Sequence, residues 1–334
     1  MKTRVLYRAG EGAREYRIPG MLRLPDGAML LCYEARYEDK NDWGDIDAVV
    51  DRLEADGSLA TVFRVGRSHL PPDGSMRTYN NPTLISDGET VHLIYHLNYE
   101  RAFIVTSRDG GHSFGEPREI TSAFRKFPFD WNVCATGPGH GLRLDSGRLC
   151  VPVWLAMGQV LADGKSKLHY PSVCGILFSD DHGMTWHAGA MPQGLDSANE
   201  TCIASPDGVS LLMNIRTRDP RRCRHMAVTA PGGEAIASQW MADTLPDPAC
   251  FGSMDGFGKK IGFTHCHTDG KRTDLTLLIS PDGGKSWQKE ALIDPIGGYA
   301  DMVLEEKRFF IFYEHTDYER NLISELVLAE GEMV

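Results

Sequence analysis

Short apolar runs set the rhythm of this chain. Gly27-Ala28-Met29-Leu30-Leu31-Cys32-Tyr33, Thr90-Val91-His92-Leu93-Ile94-Tyr95, Arg148-Leu149-Cys150-Val151-Pro152-Val153 and Arg308-Phe309-Phe310-Ile311-Phe312-Tyr313 are each a few residues long and rich in β-branched or aromatic side chains. Asp-Gly, Ser-Gly and Gly-Gly pairs bound many such runs, so the pattern predicts strands joined by tight turns. No long amphipathic helix and no low-complexity linker interrupts the series. With no domain boundary visible, residues 1–334 read as a single domain.

One octet returns three times. Ser107-Arg108-Asp109-Gly110-Gly111-His112-Ser113-Phe114 matches Ser179-Asp180-Asp181-His182-Gly183-Met184-Thr185-Trp186, and both match Ser280-Pro281-Asp282-Gly283-Gly284-Lys285-Ser286-Trp287. A worn copy stands at Ala55-Asp56-Gly57-Ser58. The chemistry suits a hairpin corner: Asp accepts hydrogen bonds from turn amides, Gly supplies a positive φ, and the aromatic ring packs between neighbouring sheets. A calcium loop would need an alternating run of oxygen ligands and a closing Glu, which these octets lack. Strands and corners repeating through a chain of this length predict an all-β, six-bladed β-propeller with four-stranded antiparallel blades, at roughly 40–50 residues per blade. Radial repetition also lets a chain beyond the usual single-core size remain one domain.

Composition narrows the partners. Acidic groups outnumber basic ones for a formal charge of −11, which disfavours nucleic acid or an anionic membrane surface as the main partner. No apolar run approaches the roughly 20 residues that a membrane-spanning helix needs. The start, Met1 to Arg8, lacks the apolar segment of a secretory signal, and residence in the cytoplasm is the expectation. The eight cysteines contain no C-x-x-C pair, and several sit in strand-like contexts, so they read as buried free thiols. His265-Cys266-His267 has no accompanying ligand cluster and reads as packing residues on a strand, with no metal implied.

The octets resemble the Asp-boxes of sialidases (neuraminidases), and from near Tyr16 to Glu314 the chain resembles that family in the family's own order, in the manner of a bacterial-type exo-α-sialidase of glycoside hydrolase family 33. Arg17-Ile18-Pro19 resembles its R-I-P motif, followed by Glu34-Ala35-Arg36; Asp42-Trp43-Gly44-Asp45-Ile46-Asp47 resembles the loop of the acid/base aspartate. Gly137-Pro138-Gly139-His140-Gly141 and Asp247 to Ser253 resemble segments of the middle blades. Asn199-Glu200 and Asn214-Ile215-Arg216 resemble the family's glutamate and second arginine, and Arg272 the third. Gly298-Tyr299-Ala300-Asp301 resembles the nucleophile's turn, with Tyr313-Glu314 after it.

The resemblance implies Tyr299 as nucleophile, Glu200 as its base and Asp42 as general acid, with Asp39, Asp45 and Asp47 as neighbouring rivals of Asp42. It implies Arg17, Arg216 and Arg272 as a clamp for the substrate carboxylate, Glu314 as the ion-pair partner of Arg17, and Arg36 as a contact to ring hydroxyls. Arg218, Arg221, Arg222 and Arg224, which crowd Arg216, read as solvated. These residue types fit the chemistry. Guanidiniums are planar, permanently charged bidentate donors for a carboxylate. A carboxylate nucleophile would be repelled by a substrate that already carries one, and a phenol with a nearby base avoids this.

Where family members often carry aspartate beside Pro-Thr or Pro-Ser, this chain has Asn81-Pro82-Thr83. The implied activity is retaining hydrolysis of terminal α-linked sialic acids through a tyrosyl-sialoside, with sialylated glycans or oligosaccharides as substrates and no cofactor. The alternatives are action on a related 2-keto sugar acid and a non-catalytic Asp-box propeller that binds glycans.

Overall fold

A computed structural model describes residues 1–38, 41–67, 77–316 and 324–333. Six small sheets of strands stand in a ring, so the expected six-bladed β-propeller is the fold. After β1 (Lys2–Tyr7), the first blade is β2 (Glu15–Arg23), β3 (Met29–Arg36), β4 (Ile46–Leu53) and β5 (Leu59–Val65). The second is β6 (Tyr79–Asp87), β7 (Thr90–Leu97), β8 (Arg101–Ser107) and β9 (Arg118–Glu119), followed by the one-turn helix α1 (Thr121–Phe124). The third holds β10 (Val133–Thr136), β12 (Leu142–Arg143), β13 (Leu149–Ala156), β14 (Ser172–Ser179) and β15 (His187–Ala188), while the intervening β11 (Gly139–His140) pairs in parallel with β6 of the second blade.

The fourth blade is β16 (Thr201–Ala204), β17 (Leu212–Ile215), β18 (Cys223–Thr229) and β19 (Ile236–Pro246). The fifth is β20 (Ser253–Phe257), β21 (Lys260–Cys266), β22 (Thr273–Ser280) and β23 (Gln288–Ile296). In the sixth, β24 (Ala300–Leu304), β25 (Arg308–His315) and β26 (Glu325–Glu332) receive β1 as their outermost strand. The two ends of the chain therefore share one sheet, and backbone hydrogen bonds close the ring.

Every recurring octet occupies the same corner, between the third and fourth strands of its blade: β8 to β9, β14 to β15 and β22 to β23. The worn copy lies in the corresponding corner between β4 and β5, where Asp56 Oδ1 accepts the Ser58 N–H at 2.8 Å. In the fifth blade Asp282 accepts from the Ser280 and Ser286 hydroxyls at 2.8 and 2.7 Å and from the Ser286 N–H at 2.9 Å, while Ser280 Oγ accepts the Gly284 N–H at 2.7 Å. Gly284 has φ +90°, a conformation that strains any residue with a Cβ, so the corner calls for glycine.

The core lies between the blades. Phe114 packs into a cluster shared by the first and second blades, Trp186 into one shared by the second and third, and Trp287 into one shared by the fourth and fifth. The octet aromatics thus seal the second, third and fifth blades each to its predecessor, as the corner chemistry predicts. All eight cysteines are free and buried. No helix among the described residues is long and apolar enough to cross a membrane.

Candidate active site

Antiparallel alternation decides which residues meet. Arg17 lies near the start of β2 and Asn81 near the start of β6, while Glu200 and Tyr299 immediately precede β16 and β24. Arg36 ends β3, Arg216 follows β17, Glu314 lies near the end of β25, and Arg272 precedes β22. Starts of first and third strands and ends of second strands fall on one face of a propeller. A cavity of about 160 Å³ opens there, and every blade contributes to its wall: Arg17 and Asp42, Asn81, Trp154 and His169, Glu200 and Arg216, Arg272, and Tyr299.

The floor is a phenol among charges. Tyr299 is 5% exposed; its hydroxyl donates to Glu200 Oε1 at 2.6 Å and accepts from Arg216 Nη1 at 2.8 Å. Arg216 also pairs with Glu200 Oε2. The guanidinium carbons of Arg17 and Arg272 each stand 5.2 Å from the Tyr299 ring centroid, so the three arginines gather around one ring. Burial and the Glu200 carboxylate push the phenol well above its ordinary pKa, against the pull of the three guanidiniums. At neutral pH it keeps its proton.

Glu314, wholly buried, orders this floor. It takes a bidentate pair from Arg17 at 3.1 and 3.3 Å and accepts the N–H groups of Ile18 at 3.0 Å and Tyr299 at 3.2 Å. One carboxylate thereby fixes an arginine and the turn carrying the phenol. Ile18 has φ +58°, a costly conformation for a β-branched residue, at a bulge where β2 changes register between Arg17 and Gly20. Asn81, Tyr99 and Ser197, also on the cavity wall, have positive φ as well. Strain of this kind persists only where surroundings over-determine it, and here it collects around the site. The glycine before the nucleophile turn serves a close approach: a Cβ on Gly297 would meet Leu275 Cβ at 2.7 Å.

Asp42 stands at the mouth with 41% of its side chain exposed. Arg36 lies 3.1 Å and Arg17 3.7 Å from its Oδ1, and His169 Nδ1 lies 4.0 Å from its Oδ2. Burial opposes its charge, but Arg36, His169 and Arg17 outweigh that and hold the carboxyl well below the usual range. Arg36 is 0% exposed and is engaged by Glu34 Oε2, the Asn41 carbonyl and Asp42, so it stands behind Asp42 as a support. Of the rivals, Asp45 pairs with Arg67, Asp47 is buried against Tyr37, Arg64 and the Arg67 N–H, and Asp39 lies outside the described residues.

One expectation is corrected. Arg218, Arg221 and Arg222 are exposed, but Arg224 is 0% exposed and hydrogen-bonded to Asn214 of the fourth blade and to the turn that follows it. Sequence reasoning also missed the aromatic wall. His169 packs against Tyr99, Trp154 and Trp43, with ring centroids 4.8, 5.0 and 6.3 Å away. Trp154 Nε1 and His169 Nε2 are buried without a hydrogen-bond partner on this wall. Trp154 lies in a strand that reads as plain core, and no motif marks His169.

The family model for the BNR repeat-like domain matches residues 23–311. Human sialidase-4 is 28% identical over 323 residues, covering 88% of this chain and 66% of its own length, so the chain spans a little less than two thirds of that relative. Among solved structures, the Hadza microbial sialidase Hz136 superposes with a TM-score of 0.81 at 20% identity, over 99% of this chain and 68% of that one. Trypanosoma rangeli sialidase in complex with 2,3-difluorosialic acid, described as a covalent intermediate, gives 0.74 at 17% identity over 98% and 58%. The chain belongs to the BNR repeat-like family, and the relatives that its sequence and its six blades resemble are sialidases.

Proposed function

We propose that the protein is an exo-α-sialidase that hydrolyses terminal α-linked sialic acids with retention of configuration, through a covalent intermediate on Tyr299. The observation that carries this reading is the Tyr299 hydroxyl, 2.6 Å from Glu200 and 2.8 Å from Arg216, on a floor ringed by Arg17, Arg216 and Arg272. Three guanidiniums around a neutral phenol suit a substrate whose reacting carbon carries a carboxylate. The names of the relatives support the same substrate class.

In the first step the Tyr299 oxygen attacks the anomeric carbon as its proton passes to Glu200 Oε1. The glycosidic C–O bond breaks, and its oxygen takes a proton from Asp42. In the second step water attacks the same carbon, Asp42 accepts the water proton, and Tyr299 leaves and recovers its own from Glu200. Two displacements at one carbon give net retention.

Asp42 must carry a proton in the first step, although its cationic neighbours keep it ionised in the unliganded protein. Arg17 is shared between Asp42 and the clamp. A substrate carboxylate entering the clamp neutralises part of that positive field, so the pKa of Asp42 rises as substrate binds. The acid is loaded by the ligand that needs it.

Hydrolysis of 4-methylumbelliferyl α-sialoside followed by proton NMR tests the reading. The α-anomer of free sialic acid is expected first. A β-anomer as first product, or no release, contradicts it.

A further inference from the structure

Arg224 sits behind the cavity wall, 0% exposed, with all three guanidinium nitrogens engaged. Nε donates to Asn214 Oδ1 at 2.6 Å and Nη2 to the Asn214 carbonyl at 3.2 Å; Nη1 donates to Asp247 Oδ2 at 3.1 Å and to the Cys250 carbonyl at 3.0 Å. Asp247 is also buried, and its other oxygen accepts the Cys250 N–H at 3.0 Å. The side chain therefore grips two segments. One is β17 at Asn214, two residues before Arg216. The other is the turn 247–250, in which the Ala249 carbonyl accepts from Arg272 Nη2 at 3.0 Å.

That turn is under strain, since Ala249 has φ +59°. An alanine stays in the left-handed region only where its surroundings hold it. Here the Asp247 carboxylate caps the turn from inside and Arg224 pins its last carbonyl. A rigid planar fork reaches acceptors in different directions at once; an ammonium on a flexible stem cannot reproduce that spacing.

We propose that Arg224 and Asp247 are positioning residues that set the distance between Arg216 and Arg272, and so the carboxylate affinity of the clamp. They touch no substrate and act through the two arginines. The proposal rests on the reading of the cavity as a carboxylate clamp.

The variant Arg224→Met alone leaves the Asp247 charge buried and unpaired and is expected to destabilise the fold. The test therefore uses R224M/D247N, which removes both charges, keeps an acceptor for the Cys250 N–H, and refills the space with an apolar chain. Thermal melting, calorimetric binding of 2,3-dehydrosialic acid, and KM and kcat on 4-methylumbelliferyl sialoside are measured on parent and variant. The variant is expected to fold with a lowered melting temperature, because the buried Asn214 and Cys250 acceptors lose their donor, and to show analogue affinity lowered on the order of tenfold or more with KM raised in parallel.

Arg224→Lys keeps a charge for Asp247 but cannot span Asn214 and Cys250 together; it is expected to fold and to lose affinity in the same direction. A folded variant of either kind that binds the analogue with parental affinity overturns the proposal, because a role confined to stability lowers melting temperature and leaves KM unmoved. A parent protein that binds no analogue removes the clamp reading, and the brace with it, which is a different result.

Discussion

Asp282 at a blade corner and Asp42 at the cavity mouth carry the same carboxyl group, and both are held ionised by opposite means. The pKa of Asp282 falls to about 2 because the Ser286 hydroxyl, the Ser286 N–H and the Ser280 hydroxyl all point at it, every partner lying within four residues. Asp42 is held low by Arg36 from its own blade, His169 from the third blade and Arg17 from β2, also of its own blade. Local hydrogen bonds make a self-sufficient corner that can be stamped into several blades. Assembled charges make a site that exists only when segments far apart in the chain meet, and in the proposed mechanism the entering substrate retunes it.

Removing Asp42 should therefore cost the most activity and little stability. Asp42→Ala is expected to lower turnover on a natural sialoside on the order of 10²–10³-fold while melting like the parent. An activated aryl leaving group needs less protonation, so its defect is expected to be smaller. Rate assays on both substrates check this, and equal losses would remove the acid role.

An intermediate effect is expected at the propeller axis, where an aspartate is again an assembled group. Asp301 pairs with His140 Nδ1 at 2.8 Å and accepts the Met21 N–H at 2.7 Å and the Ser253 hydroxyl. Burial opposes the imidazolium, but Asp301 outweighs it and raises His140 to about 9. A histidine raised on folding stabilises fully below its ordinary value near 6.5 and loses that contribution as pH climbs toward 9. Melting temperature should thus decline across pH 6.5–9, and His140→Gln should flatten the decline. An unchanged slope in the variant would assign it to other groups.

The smallest effect belongs to the corner. Asp282→Ala is expected to lower the melting temperature by a few degrees, on the order of 2–4 °C, with turnover within twofold. A large loss of activity from this exposed turn would erase the distinction between local and assembled aspartates.

The same distinction explains what the sequence makes legible. The corners are readable because Ser280, Asp282, Gly284, Ser286 and Trp287 carry their whole geometry in one octet, and repetition then implies the blades. Arg17, Glu200 and Tyr299 are marked through resemblance, and the structure gathers them in one cavity. Trp154 is hidden because a wall residue on a strand buried on both faces looks like core. Arg224 is hidden for the opposite reason: in a run of arginines it looks solvated, and only Asp247, twenty-three positions later, makes its burial tolerable. Residues whose role depends on partners far along the chain leave no local pattern to read.

The central claim is that the phenol of Tyr299 attacks the substrate, and trapping tests it most directly. Protein incubated with a 3-fluorosialyl fluoride, digested and mapped by mass spectrometry should carry one added sugar, on the peptide containing Tyr299, and the Tyr299→Phe variant should carry none. A label on Glu200 or on another residue, or labelling of that variant equal to the parent's, would contradict the account.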